Sequence, residues 1–140
     1  MEKSVRYWKR LDRMESGEVK YYMRFEVFYF DGCVNHRLAV EQVQEVLREE
    51  GLEAEVVEIK VSDRAAAQAF GFLGSPTVRV DGLDVEALAR SSQAFGMTCR
   101  TYLDGSQRRA VPPRSLIREA VREAISKRDR NQTARNLGGE

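Results

Sequence analysis

Two cysteines and one histidine, Cys33, Cys99 and His36, are the side chains of this chain best suited to nucleophilic or soft-metal chemistry. Cys33 and His36 stand three positions apart in "YFDGCVNH", where an apolar stretch passes through an Asp-Gly turn into what reads as the head of a helix. A cysteine at that place faces unpaired backbone amides and the positive end of the helix dipole, and both favour thiolate over thiol. His36 falls on nearly the same helical face, so its ring is a candidate to stabilise the thiolate or to relay a proton. Arg37 adds positive potential beside it. Cys-x-x-His is also half of a zinc ligand set. With Cys99 the one other sulfur ligand and no second histidine, a closed four-ligand site is not expected, whereas a soft ion on two thiolates stays open if Cys99 comes close. Cys99 itself has two readings. The core is its expected place, because unpaired cysteines are among the most buried side chains; the other reading makes it a resolving thiol for Cys33.

Other chemistries have little to stand on. Ser-His-Asp hydrolysis needs a histidine to activate the serine, and His36 is committed to the Cys33 turn. "GFLGSP" lacks the lysine and spacing of a phosphate-binding loop, so its glycines belong to the turn before Pro76. Glu49-Glu50 reads as a solvated helix face. No cofactor is expected.

The elements that must position these residues follow from periodicity. "RFEVFYF" (24–30) has the aromatic and β-branched content of a buried strand and stops at Asp31-Gly32. Ala39, Val40, Val43, Val46 and Leu47 recur at helical spacing, which predicts a helix over 35–50 closed by Gly51. A second strand is expected over 52–61. Ser62 or Asp63 can cap a short helix that ends at Gly71. "TVRV" (77–80) is a third strand led by Pro76, and "TCRTYL" (98–103) a further one; 83–97 carry no clear pattern. Pro112-Pro113 open a last helix with the stripe Leu116, Ile117, Ala120, Val121, Ala124 and Ile125. Residues 127–140 have no core-forming pattern and read as a flexible basic tail.

At 140 residues and 42% apolar the chain suits one small core. Its net charge of +1 hides an asymmetry: residues 41–63 hold eight acids against two bases, and 108–140 hold nine bases against four acids. Both read as solvated faces, and without a basic stripe interleaved with aromatics nucleic acid is not an expected partner. The opening residues carry charges without the apolar stretch of a secretory signal, and no run is long enough to span a membrane. A cytoplasmic setting that keeps both thiols reduced is expected.

Strand, "CVNH" at a helix head, a βαβ unit and "SPT" opening the third strand together resemble the thioredoxin-like superfamily. "YFDGCVNH", "FLGSPTVRVDG" and "CRTY" are similar to small bacterial thioredoxin-like proteins that carry Cys-Pro-Asn-His, some of whose relatives are labelled alkylmercury lyase. The resemblance implies an α/β sandwich with a central mixed sheet of about four strands flanked by helices and a cis-proline, Pro76, before the third strand. It divides the chain into a polar N-terminal extension (1–22), the thioredoxin-like domain (23–126) and the tail (127–140). It also implies that Cys33 and His36 are catalytic, that Ser75, Pro76 and Thr77 bind substrate, and that the Ser75 backbone pairs with an extended thiol substrate. Val34 and His36 depart from the usual Pro and second Cys, so a dithiol cycle within the motif is unavailable. The expected activity is single-thiol thiol–disulfide exchange with a disulfide-bearing protein or a low-molecular-weight thiol. The alternative is a non-catalytic binding module for a protein, a peptide or a soft metal such as mercury.

Overall fold

A computed structural model describes residues 2–7 and 23–138, with side chains over 23–131. Strands β1 (Glu2–Tyr7), β2 (Met23–Tyr29), β3 (Ala54–Lys60), β4 (Thr77–Val80) and β5 (Leu83–Asp84) form one mixed sheet in the order β1-β3-β2-β4-β5. β2 and β3 are parallel because a helix connects them; β1 runs antiparallel to β3, β4 to β2 and β5 to β4. The helices are α1 (His36–Glu50), α2 (Arg64–Phe70) and α3 (Arg114–Gly138). Glu2–Tyr7 of the expected N-terminal extension thus forms one of the two outer strands of the sheet, and residues 8–22 lie outside the described residues.

Period-two alternation divides the core. Met23, Phe25 and Val27 of β2, with Ala54 and Val56 of β3, meet the buried stripe of α1 and Ile117, Ala120 and Val121 of α3 on one face. Phe28, Val57 and Ile59 face the other way, against Val61, Ala67 and Phe72. Each fully buried side chain of this kind contributes about 1.5–3 kcal/mol, so both faces need their helical cover. Local chemistry sets the ends. Asp63 accepts from Ala66 N–H at 2.8 Å to start α2, and Gly51, at φ 65°, closes α1 in the left-handed conformation that glycine adopts without steric cost.

The acidic and basic halves of the chain meet each other rather than only solvent. Arg114 and Arg118 of α3 reach Glu49 of α1 at 3.0 and 2.9 Å, and Arg122 reaches Glu50 at 3.4 Å. These pairs are half-exposed and individually weak, but they set the register of two helices that already share a core. α3 does not stop near Ile125. It runs to Gly138, where a flexible tail was expected, and Arg128 ties that continuation to Asp81 at 3.0 Å.

The 98–103 stretch is not one strand of the main sheet. Residues 98–100 make a single parallel bridge with Ser75, and β6 (Tyr102–Asp104) then turns back on β7 (Gln107–Arg109) as a separate hairpin. The ladder goes no further along β4 because the Tyr102 hydroxyl takes the next groups, accepting from Val78 N–H at 3.2 Å and donating to Pro76 O at 2.5 Å. The unpatterned 83–97 segment holds β5 and one 3-10 turn, Ala87–Ala89. Arg90, just past that turn, forms a fork on Glu123 of α3 at 3.0 and 2.9 Å, which holds the Glu123 carboxyl below the usual carboxylate range.

Candidate functional site

Cys33 sits past the carboxyl end of β2, the middle strand of the sheet. Its N–H donates to Phe30 O at 3.2 Å, closing a turn through Asp31 and Gly32. Gly32 takes φ 85°, which the turn requires and a side-chain residue resists. The thiol is half-buried, while Val34 beside it is 82% exposed. α1 begins three residues on, at His36, and Asn35 makes no side-chain cap, so the first-turn amides have no acceptor from that residue.

His36 is engaged through its ring by partners on the sheet. Its Nε2 donates to Glu58 Oε1 at 2.5 Å, and its ring lies flat on Tyr29, with centroids 3.7 Å apart and planes 4° from parallel. Tyr29 and Glu58 share one face of the sheet, across the ends of the parallel pair β2 and β3, so the histidine locks the start of α1 onto both strands. The ring makes no hydrogen bond to the Cys33 sulfur among the described residues. What the spacing of three implied is therefore replaced by a geometry in which backbone, His36 N–H to Cys33 O at 3.5 Å, is the link between the two. His36→Ala is expected to lose about 1–2 kcal/mol from the stack and the charge-assisted hydrogen bond, read by urea unfolding. Iodoacetamide labelling of Cys33 in the same variant should stay within about twofold of wild type, since a thiol answers to the groups that contact it.

The Ser75-Pro76 bond is cis, and Ser75, Pro76 and Thr77 are all buried. Ser75 Oγ accepts from Phe30 N–H at 3.3 Å, which joins this loop to the turn that carries Cys33. The Ser75 backbone is not open to a partner strand. Its N–H donates to Thr98 O at 2.8 Å and its carbonyl accepts from Arg100 N–H at 3.0 Å, so the chain's own residues occupy the edge expected to receive an extended substrate. Thr77 Oγ1 donates to Gly74 O at 2.5 Å and also faces Arg100, an inward role rather than a contact surface.

Cys99 is exposed, not in the core. The inward anchoring of the next residue is the reason. Arg100 turns inward and is 6% exposed, so its neighbour must face solvent. Arg100 makes a fork on Asp84 at 2.8 and 2.9 Å, reaches Glu86 at 3.2 Å, and lies 4.1 Å over the Tyr102 ring. Burial works against its charge, but the hydrogen bonds it donates to Asp84 outweigh that and keep the guanidinium more firmly protonated than usual. Burial likewise raises Tyr102 above the ordinary phenol range, so it stays a hydroxyl that can donate to Pro76 O. Sequence patterning missed this network. Its one visible signal was the pair of acids, Asp84 and Glu86, flanking a valine in an otherwise unassigned segment.

A cavity of about 410 Å³ opens beside the Cys33 turn, lined by Phe30, Asp31, Lys60, Val61, Ser62 and Met97. Lys60 Nζ pairs with Asp31 at 2.8 Å, and that carboxylate raises the ammonium's pKa. Among the described residues, no three His, Cys, Asp or Glu side chains converge as a metal site, and no helix is long and apolar enough to cross a membrane.

No curated protein and no solved structure matches the chain. A family model matches residues 34–121, a span that begins one residue after Cys33 and includes His36, the Ser75–Thr77 loop and Cys99. The α/β fold with its mixed sheet and this match over more than half of the sequence together establish that the chain belongs to the family described as domain of unknown function DUF2703.

Proposed function

We propose that this chain is an atypical thioredoxin-like protein that performs thiol–disulfide exchange through a single thiol, Cys33. The element order from β2 through α3 supports the thioredoxin-like reading, as does a cis-proline loop joined to the cysteine turn. The observation that carries the activity is the hydrogen bond from Phe30 N–H to Ser75 Oγ, which ties the half-buried Cys33 turn, the uncapped head of α1 and the Ser75-Pro76 loop into one site. The Cys33 thiolate attacks one sulfur of a disulfide, a new S–S bond forms, and the other sulfur leaves as a thiolate with the electron pair of the broken bond. A low-molecular-weight thiolate then attacks the cargo sulfur of the adduct, forming a disulfide with it and returning the Cys33 thiolate; if Cys99 attacks instead, a Cys33–Cys99 disulfide forms, the cargo leaves as a thiolate, and low-molecular-weight thiol reduces the pair, since the motif holds His36 where a second cysteine would stand. His36 acts as a positioning residue through Tyr29 and Glu58. Cys33→Ser tests the reading. In a Cys99→Ser background, which removes the exposed second thiol, exchange with a chromogenic disulfide should fall to the rate of the buffer on adding Cys33→Ser, while Cys99→Ser alone retains the first, adduct-forming step. Activity left intact in the double variant would end the proposal.

The alternative, a non-catalytic binding module, draws on the engagement of His36 by Glu58, which takes the ring nitrogen Nε2 that could otherwise serve the thiol as a base. For a soft metal such as mercury it requires both thiols on one ion. Loss of both free thiols on adding a single equivalent of Hg(II), in a protein that stays monomeric, would favour it.

A further inference from the structure

What can reach Cys33 is limited by the backbone around it. An extended polypeptide docks on a sheet by pairing with unsatisfied N–H and C=O groups along a strand edge. β2, which leads to Cys33, has β3 on one flank and β4 on the other, and the free edges of the sheet belong to the outer strands β1 and β5. Immediately before β4, the Ser75 N–H and carbonyl are taken by Thr98 and Arg100 at 2.8 and 3.0 Å. This strap is built in. Gly74 has φ 111°, and a Cβ placed on it would stand 2.9 Å from Thr98 O, so the close approach depends on glycine. Arg100 anchors the other end through its buried fork on Asp84.

The cavity at the strand ends stays open. It lies where the parallel strands β2 and β3 finish, the place at which open α/β sheets hold ligands, and its volume of about 410 Å³ falls within the usual range for small-molecule sites. Phe30 lines it and its carbonyl accepts the Cys33 N–H, so the cavity wall and the Cys33 backbone share one tight turn. Phe30, Val61 and Met97 offer an apolar side, and Asp31 with Lys60 a side bearing both charges.

We propose, resting on the thiol-exchange reading above, that Cys33 serves compact low-molecular-weight disulfides seated in this cavity, and that the Thr98–Arg100 strap excludes extended polypeptides. The first step forms a Cys33–S–S–R bond and releases R–S⁻; a different low-molecular-weight thiolate, R′–S⁻, then attacks the R sulfur of the adduct, so that R–S–S–R′ forms and the Cys33 thiolate leaves with the electron pair of the broken bond.

The test uses the full chain as Cys99→Ser, with adducts on Cys33 followed by intact mass. One probe is bis(2-hydroxyethyl) disulfide; the other is a short unstructured peptide whose central cysteine carries the same hydroxyethyl disulfide, so the small leaving group is shared. The small probe should react roughly tenfold faster or more. Met97→Trp, at a partly exposed cavity wall, should slow the small probe about fivefold with an unchanged circular dichroism spectrum. A peptide that reacts as fast as the small probe overturns the proposal and leaves thiol exchange standing. An unchanged small-probe rate in folded Met97→Trp removes the cavity as the seat and overturns it too. Failure of both probes to modify Cys33 overturns the thiol-exchange reading, and this proposal falls with it.

Discussion

Arg100→Met is expected to cost the fold about 3–5 kcal/mol, the range for removing one partner of a buried ion pair. Methionine fills much of the same volume, so the loss is not mainly one of packing. It comes from Asp84 and Glu86, 5% and 8% exposed, which would keep their charges without the guanidinium that neutralises them. Each retains one other bond, Asp84 Oδ1 accepting from Glu86 N–H at 2.9 Å and Glu86 Oε2 from Leu103 N–H at 2.8 Å, and one hydrogen bond does not offset a buried carboxylate. In a domain of this size the melting temperature should drop by roughly 10–20 °C, read by calorimetry. The triple variant Arg100→Met, Asp84→Asn, Glu86→Gln should recover much of that loss, because removing a buried pair together is far cheaper than breaking it. A melting temperature within about 3 °C of wild type for the single variant would mean the network is not buried as described.

Gly74→Ala is the second large effect, expected at about 2–4 kcal/mol. Two costs combine. The backbone at φ 111° disfavours any side chain, and the new methyl would stand 2.9 Å from Thr98 O and 3.2 Å from Arg100 Cβ. Gly82→Ala separates them, since Gly82 has φ 87° but open space around it, and should show the conformational cost alone, about 1–2 kcal/mol. The amides of Ser75 and Arg100, whose hydrogen bonds define the strap, should exchange faster in Gly74→Ala than in Gly82→Ala. Equal losses in the two variants would show that Thr98 does not press on Gly74. Gly74 and Arg100 hold the two ends of one strap, so the double variant should lose less than the sum of the singles.

Both positions show where reading the chain from its residues reaches its limit. Gly74 was legible as part of a Gly-rich approach to Pro76, but not as the neighbour of Thr98, 24 residues on. The helical stripes of α1 and α3, the strand content of β2 and the caps at Asp63 and Gly51 were legible because periodicity and capping act within a few residues of one another. The candidate site divides along the same line. Its turn, "YFDGCVNH", is local and could be read directly, while the partner of His36 lies 22 residues away on another strand.

By itself, then, the sequence determined β2 to β4, the helices α1 and α2 and the start of α3, the buried stripes of α1 and α3, and the turn that presents Cys33. Each of these follows from side-chain period, glycine or a capping oxygen at short range. Tertiary structure alone decided that the acidic and basic halves pair across α1 and α3, that Glu58 and Tyr29 hold the His36 ring, and that Cys99 faces solvent. It also decided that the chain closes the Ser75 edge on itself. The physical reason is common to all four: hydrogen-bonding groups and charges of many residues could satisfy one another in many ways, and which of them meet is chosen only when the sheet order brings distant segments together.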